Sequence, residues 1–370
     1  MRAAEDPEFK SIRLGEEPAT WSVLRELWEN SDDRCPFQSP AVLRQFGANT
    51  SDAKRLFALY RDGAIIAGVV LKQDETRDLT FLSDLKTDVN RFLFHTAADE
   101  EVKRVFFDRL FQTIAEEDLS LTLNSQYGDR EDTGLLRQAA ESAGLFCSVV
   151  ENSACPVVEA ASPGELFAHV NGLRELRYRV NRLLNQQEAV FETFADDTEL
   201  EAWTDMFCAT HMRRWADTST PSSFRNDERR VFLKGCLRAW AADGVLVRFS
   251  VRVGEERIGF VIGLRSGTDT IIHHSTTYDP RFAKSSPGKA LIHHMAAWMA
   301  GTGYRILDFG DGREDYKYTV ATGDRPLVRI FIANKSNMRY ILSSSVIRLV
   351  RGNRFMYDVY QRHIKPRLQA

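Results

Sequence analysis

The chain has 370 residues, 43% of them hydrophobic, enough to bury more than one ordinary core, and two domains are predicted. Lys and Arg number 49 against 52 Asp and Glu, a net charge of −3 that excludes a bulk nucleic-acid binder. Five scattered cysteines (Cys35, Cys147, Cys155, Cys208, Cys236) exclude a disulfide framework; with no apolar signal core near Met1 and no run of ~18 apolar residues, a cytoplasmic chain is expected.

In chain order, residues 56–71 read as strand, turn at Arg61-Asp62-Gly63, strand. A strand at 78–84, a helix at 98–116, a strand at 119–125 and a helix near 133–143 follow. Residues 162–189 read as one helix carrying Arg174, Arg177, Arg179 and Arg182, either a solvated charged face or a basic wall beside an anionic ligand. Cys208 and His211 form a C-x-x-H, but no second pair stands nearby, so no metal is expected. Residues 247–264 repeat the hairpin pattern around Gly254-Glu255-Glu256, and strands at 268–279, 304–309 and 326–334 with a helix from Pro287 complete a second copy.

The predicted fold class is therefore mixed α/β. Residues 1–155 and 191–335 form two copies of one unit, each a mostly antiparallel mixed sheet flanked by helices, joined by a basic helix at 156–190. Residues 336–370 form a basic helical tail, with Arg348, Arg351, Arg354, Arg362, Lys365 and Arg367 against Asp358 alone. It is either a packed terminal helix or a surface helix that touches an anionic membrane or a partner.

The stretch "YDPRFAKSSPGKALIHHMAAWMAGTGYRILDFG" (residues 278–310) carries the strongest local signal. Pro287 suits a first helical turn and Ser286 before it is a predicted N-cap, with Gly301 and Gly303 at the far end. A helix N-terminus exposes about four unpaired N–H groups and roughly half a positive charge, which attracts phosphate, and Gly288 removes the side chain that would keep one away. The plain alternative is a capped core helix. In the first copy no glycine lies between Asp84 and the helix, so a phosphate loop is expected only in the second.

These residues, with "PFQSPAVLRQF" (36–46), "LRELRYRVNRL" (173–183) and "HMRRW" (211–215), resemble the CelD/BcsL-like branch of the GNAT acyltransferases, a FemAB-related branch with two GNAT-like domains. The resemblance spans about residues 21–334. It implies that Ser285-x-x-Gly288-x-Ala290 stands where these enzymes hold the coenzyme A diphosphate, usually on Gln or Arg, x, x, Gly, x, Gly or Ala. Ser285 departs from that pattern; Lys284 and Lys289 keep positive charge close. The implied co-substrate is acetyl-CoA or another acyl-CoA on Ser285, Ser286, Gly288, Lys289 and Ala290, with pantetheine between splayed strands 270–278 and 304–309 and His211 and Trp215 on the acceptor side.

Acyl transfer to an amine needs a neutral nucleophile, a stabilised oxyanion and a proton for the leaving thiolate. Tyr316 is the favoured donor, because it follows the 304–309 strand and a phenol near pKa ~10 stays protonated where a thiol near ~8.5 begins to ionise. Tyr316 and Tyr318 as plain loop anchors is the alternative. The candidate bases are Asp308 and His273 or His274; an imidazole titrates near neutrality unaided, and strand alternation lets at most one of the two histidines face the cleft. Lys317 is expected to pair with Asp308 or to contact the acceptor, and His293 and His294 to lie at the surface.

The leading expectation is an N-acyltransferase acting on a primary amine of a small molecule, amino sugar or peptide, with a link to polysaccharide biosynthesis. The alternatives are aminoacyl transfer from charged tRNA and a non-catalytic assembly factor.

Overall fold

A computed structural model describes residues 6–352, apart from 16, 85 and 219. The chain divides into two compact units that are not its two linear halves. Unit 1 holds residues up to Asp32, Phe46–Ser153 and residues from Arg325 onward; unit 2 holds Asp33–Gln45 and Ala154–Asp324.

Unit 1 begins with β1 (Glu8–Arg13) and α1 (Pro18–Glu29); α2 (Pro40–Ala48) passes into it, followed by β2 (Ala53–Arg61), β3 (Ala64–Gln73), β4 (Asp78–Phe81) and β5 (Leu93–Phe94). Then come α3 (Glu100–Glu116), β6 (Ser120–Tyr127), α4 (Glu131–Ser142) and the first part of β7 (Phe146–Glu159). Asp62 and Gly63 both take positive φ in the β2–β3 turn, the conformation of a tight two-residue hairpin. β1, β2, β3 and β4 pair antiparallel in that order, and β4 then pairs parallel with β6.

The end of β7 enters unit 2, which continues through α5 (Pro163–Gly172), α6 (Arg174–Gln187), β8 (Val190–Phe194), α7 (Leu200–Arg214), α8 (Asp227–Ala242), β9 (Leu246–Val253) and β10 (Glu256–Ser266). β11 (Thr270–Tyr278), α9 (Pro287–Thr302), β12 (Ile306–Asp308) and α10 (Asp315–Tyr318) follow. β13 (Gly323–Ala333) leads back to unit 1, where α11 (Met338–Gly352) lies. β8 to β11 form an antiparallel series, and β11 pairs parallel with β12, so the unit 1 pattern recurs.

The last strand of each pattern comes from an unexpected place. β13, expected in the second copy, pairs antiparallel with β6 of unit 1, while Val157–Glu159 of β7 pair with β12 of unit 2. Residues 33–45 likewise join unit 2: Trp240 Nε1 donates to the Pro36 carbonyl (2.9 Å) and the Ala41 N–H to Asp243 Oδ2 (2.9 Å). The expected linear boundaries at 155, 190 and 335 therefore differ from these units.

Each unit has its own core. Phe106, Phe107, Leu110, Phe111 and Ile114 of α3 pack on Phe57, Val69 and Leu121 in unit 1, while Ala290, Leu291, Met295 and Met299 of α9 pack on Phe249, Val261 and Leu307 in unit 2. At about 1.5–3 kcal/mol for each large side chain fully buried, these faces fix both helices on their sheets. The single helix expected over 162–189 is instead two, because Leu173 takes an extended conformation (ψ 102°) between them. The expected tail is described only as far as residue 352, and Arg354, Arg362, Lys365 and Arg367 lie outside the described residues. No helix of the described residues is long and apolar enough to cross a membrane.

Candidate functional site

In unit 2, β11 and β12 pair over only three positions, from Thr270–Ile306 to Ile272–Asp308. β11 then runs on to Tyr278 while β12 ends, so its last six residues lose that neighbour and the strands part as the family pattern implies. Against β10 the register jumps from Gly263–His273 to Ile262–Ser275, a bulge at His274. The two histidines still meet different neighbours, as strand alternation predicts. His273 is 2% exposed beside Phe309, whereas His274 is half-buried against Phe37 and Trp240.

The parted strands lead to the N-terminus of α9. Ser286 has φ 51° and ψ 59°, a left-handed conformation, and no side chain caps the helix. The predicted Ser286 cap is thus absent, because that backbone turns its hydroxyl back to the Ala283 carbonyl (3.5 Å). Pro287 has no N–H and the Ala290 N–H bonds the Ser286 carbonyl (3.2 Å). Among the described residues, the N–H groups of Gly288 and Lys289 are left without a partner. A Cβ on Gly288 would meet only Thr276 Oγ1 (3.9 Å) and Tyr278 Cδ1 (4.0 Å), so the space in front of the helix is open. Two free donors, the positive end of a 16-residue helix and that space fit a diphosphate.

The neighbouring residues hold this loop in shape. Ser285 is 3% exposed and its Oγ accepts from Gln187 Nε2 (2.7 Å), so it serves the scaffold. Arg179 and Arg182 of α6 donate to the Lys284 carbonyl (3.0 and 3.4 Å). The basic helix thus lies beside the loop and braces it from the carbonyl side. Lys289 pairs with Glu175 (2.8 Å), and Ala290 is fully buried. Gly259 of β10 lets the helix start close to the sheet, since a Cβ there would stand 2.9 Å from Pro287 Cβ. The first turn of α3 in unit 1 is the opposite case: Asp99 accepts from the Val102 N–H (2.9 Å), and Glu100 and Glu101 add negative charge.

An open groove of about 260 Å³ adjoins the loop, lined by Arg214, Trp215, Thr218, Tyr278, Pro280 and Ala283. The Arg214 guanidinium lies 4.2 Å from the Tyr278 ring centroid. Of the two residues expected on the acceptor side, Trp215 lines the groove, and His211 is stacked on its indole at 5.9 Å with Nδ1 bonded to Ser222 Oγ (2.8 Å). Sequence reasoning missed Arg214 and Tyr278; both sit in quoted motifs, and their signal was adjacency to Trp215 and to the loop.

Beyond β12 the chain turns through Gly310–Gly312. Asp308 is fully buried and its Oδ1 accepts from the Gly310 N–H (2.7 Å). Lys317, 4% exposed, donates to the carbonyls of Gly310, Asp311 and Gly312 (3.4, 2.9 and 3.3 Å) and pairs with Glu314 (2.9 Å). It ties down the loop. Tyr316 is half-buried on α10 against the unit 2 core, and Tyr318 is exposed with its hydroxyl on Asp324 (3.2 Å). Burial, helped by the Lys317 cation, pushes His273 down to about 3, and its Nε2 has no hydrogen-bond partner. The expected near-neutral titration therefore does not hold: His273 is neutral and a poor proton acceptor. His293 and His294, expected at the surface, are half-buried. They bond Asn171 Oδ1 and Thr193 Oγ1 (both 2.9 Å), and burial lowers both, His294 to about 4.

Residues 171–318 match the family described as acetyltransferase (GNAT) domain. Among solved structures, FemX is similar at a TM-score of 0.60 and 10% identity, covering 90% of this chain and 99% of its own. L-PGS from Bacillus licheniformis is similar at 0.56 and 12%, covering 93% and 99%. A conserved protein of unknown function from Bacteroides thetaiotaomicron is similar at 0.55 and 13%, covering 88% and 99%. At these identities the shared property is the fold. No curated protein sequence matches the chain. The match to an acetyltransferase (GNAT) domain thus covers residues 171–318, and the chain as a whole shares its fold with FemX and L-PGS.

Proposed function

We propose that unit 2 transfers an acyl group from acyl-CoA, with acetyl-CoA the simplest donor, to a primary amine of a small molecule, amino sugar or peptide. The observation that carries this reading is the uncapped start of α9, where two free N–H groups face open space over Gly288 beside parted strands. A diphosphate at that point directs pantetheine along the edge of β11 that β12 has left, and backbone N–H groups there supply the stabilisation an oxyanion needs. In this reading Tyr316 gives the proton to the departing thiolate, Asp308 and Lys317 hold the loop that positions α10, and the Trp215 groove receives the acceptor. Unit 1 binds no nucleotide, because Asp99 and two glutamates occupy the start of α3.

Calorimetric titration tests this directly. Coenzyme A and acetyl-CoA should bind the full chain, and pantetheine, which lacks the diphosphate, should bind at least about 100-fold more weakly, given the strength of charge-assisted hydrogen bonds. Equal affinity for pantetheine would remove the diphosphate from α9. Indifference to all three, with binding of aminoacyl-tRNA instead, would replace acyl-CoA by an aminoacyl donor.

A further inference from the structure

We propose that α11, with the basic residues around it, is a docking surface for an anionic lipid membrane. This is independent of the reaction assigned to unit 2. The face of α11 that meets unit 1 is mixed: the Tyr340 ring packs edge-on against Phe331 (6.2 Å) and Ile341 is half-buried, while the Tyr340 hydroxyl donates to the Leu121 carbonyl (2.8 Å) and shares a hydrogen bond with Thr122 Oγ1 (2.7 Å), and Ser344 is 1% exposed. An apolar face points outward. Met338, Leu342, Val346 and Leu349 are 57–64% exposed at spacings of four, four and three residues, which is one stripe along the helix.

Scattered exposed apolar residues are ordinary, but four in one stripe along a helix leave a continuous apolar surface in water. Charge indicates what covers it. Residues 335–370 carry eight Lys and Arg against Asp358, while residues 1–334 carry 41 basic and 51 acidic residues. Lys335 and Arg339 are exposed close to the stripe. An apolar stripe with cationic flanks matches the boundary of an anionic bilayer, which takes the side chains among its acyl chains and the cations among its headgroups. RNA would meet the cations and leave four apolar side chains in water. A second copy of the chain would bring two strongly basic segments together.

The test is co-sedimentation of the full chain with vesicles of phosphatidylcholine alone and of phosphatidylcholine with phosphatidylglycerol. Binding is expected only to the anionic vesicles and should weaken with added salt. The double substitution Leu342→Ser with Val346→Ser keeps every charge and the Tyr340 anchor, and should lower partitioning about tenfold or more from the apolar area withdrawn. Lys335→Gln with Arg339→Gln keeps the stripe and should lower partitioning severalfold on anionic vesicles. The proposal falls if wild type shows no preference for anionic vesicles, or if the Leu342/Val346 variant binds them as wild type does. It also falls if the chain binds poly(U) RNA rather than vesicles with no effect of that variant, or if light scattering shows a dimer that the variant dissociates with no vesicle binding.

Discussion

Replacing Gly288 by Glu separates stability from binding, because the two should move in opposite directions. The new Cβ meets nothing closer than 3.9 Å, so the fold accommodates it. Losing glycine inside the first turn favours the helix by about 0.5–1 kcal/mol, and a carboxylate beside the uncapped N–H groups adds about 0.3–1 kcal/mol through the helix dipole. A stabilisation near 1 kcal/mol raises the melting temperature of a unit this size by roughly 2–4 °C. Coenzyme A meets the reverse. The carboxylate takes the two free donors and stands ~4 Å from a diphosphate, where like charges cost about 4 kcal/mol at an effective dielectric constant near 20. Screening lowers that figure, and a loss of at least about 100-fold in affinity is expected. Scanning calorimetry and isothermal titration on one preparation read both quantities. Affinity within about twofold of wild type would refute the diphosphate site, and a melting temperature several degrees lower would refute the open space read around Gly288.

The remaining predictions address the reaction, the seat of α9 and a buried carboxylate. Tyr316→Phe should lower kcat about 100-fold or more with acyl-CoA affinity nearly unchanged, and full kcat with chemistry rate-limiting would make Tyr316 structural. Gly259→Ala presses on Pro287 Cβ at 2.9 Å and Val251 Cγ1 at 3.0 Å; it should destabilise unit 2 by about 1–3 kcal/mol in urea titration and weaken coenzyme A binding with it. Asp78 is raised to about 6, first by burial, against the hydrogen bonds from Thr122 and Ser120 that lower it. A carboxyl raised in the fold stabilises it while protonated, so that contribution is lost as pH rises from about 4 through 6. Asp78→Asn should gain stability over wild type between pH 4 and 7 by up to about 3 kcal/mol, and a gap that stays flat with pH would contradict the burial argument.

The features legible in the sequence are those that a few adjacent residues decide. Asp62-Gly63 and the Gly254 turn fix their hairpins, and Pro287 with Gly303 brackets α9, because glycine and proline restrict φ within a residue or two whatever the distant fold does. The features that were not legible depend on partners far along the chain. β13 and the end of β7 both read as strands, but a strand's pattern does not say which neighbour it pairs with, and each completes the sheet of the other half. Within the site, Gly288 was legible because its contribution is the absence of a side chain. His273 was misread because its proton affinity is set by complete burial and by Lys317, 44 positions away. Ser286 was misread because a serine before a helix usually caps it, and the left-handed backbone that prevents this is visible only when the preceding turn, Pro280–Ser285, has been placed. That misreading bears on function: a capping serine would have satisfied the same N–H groups that a phosphate needs, so the broken sequence rule is the one that leaves the start of α9 free to bind.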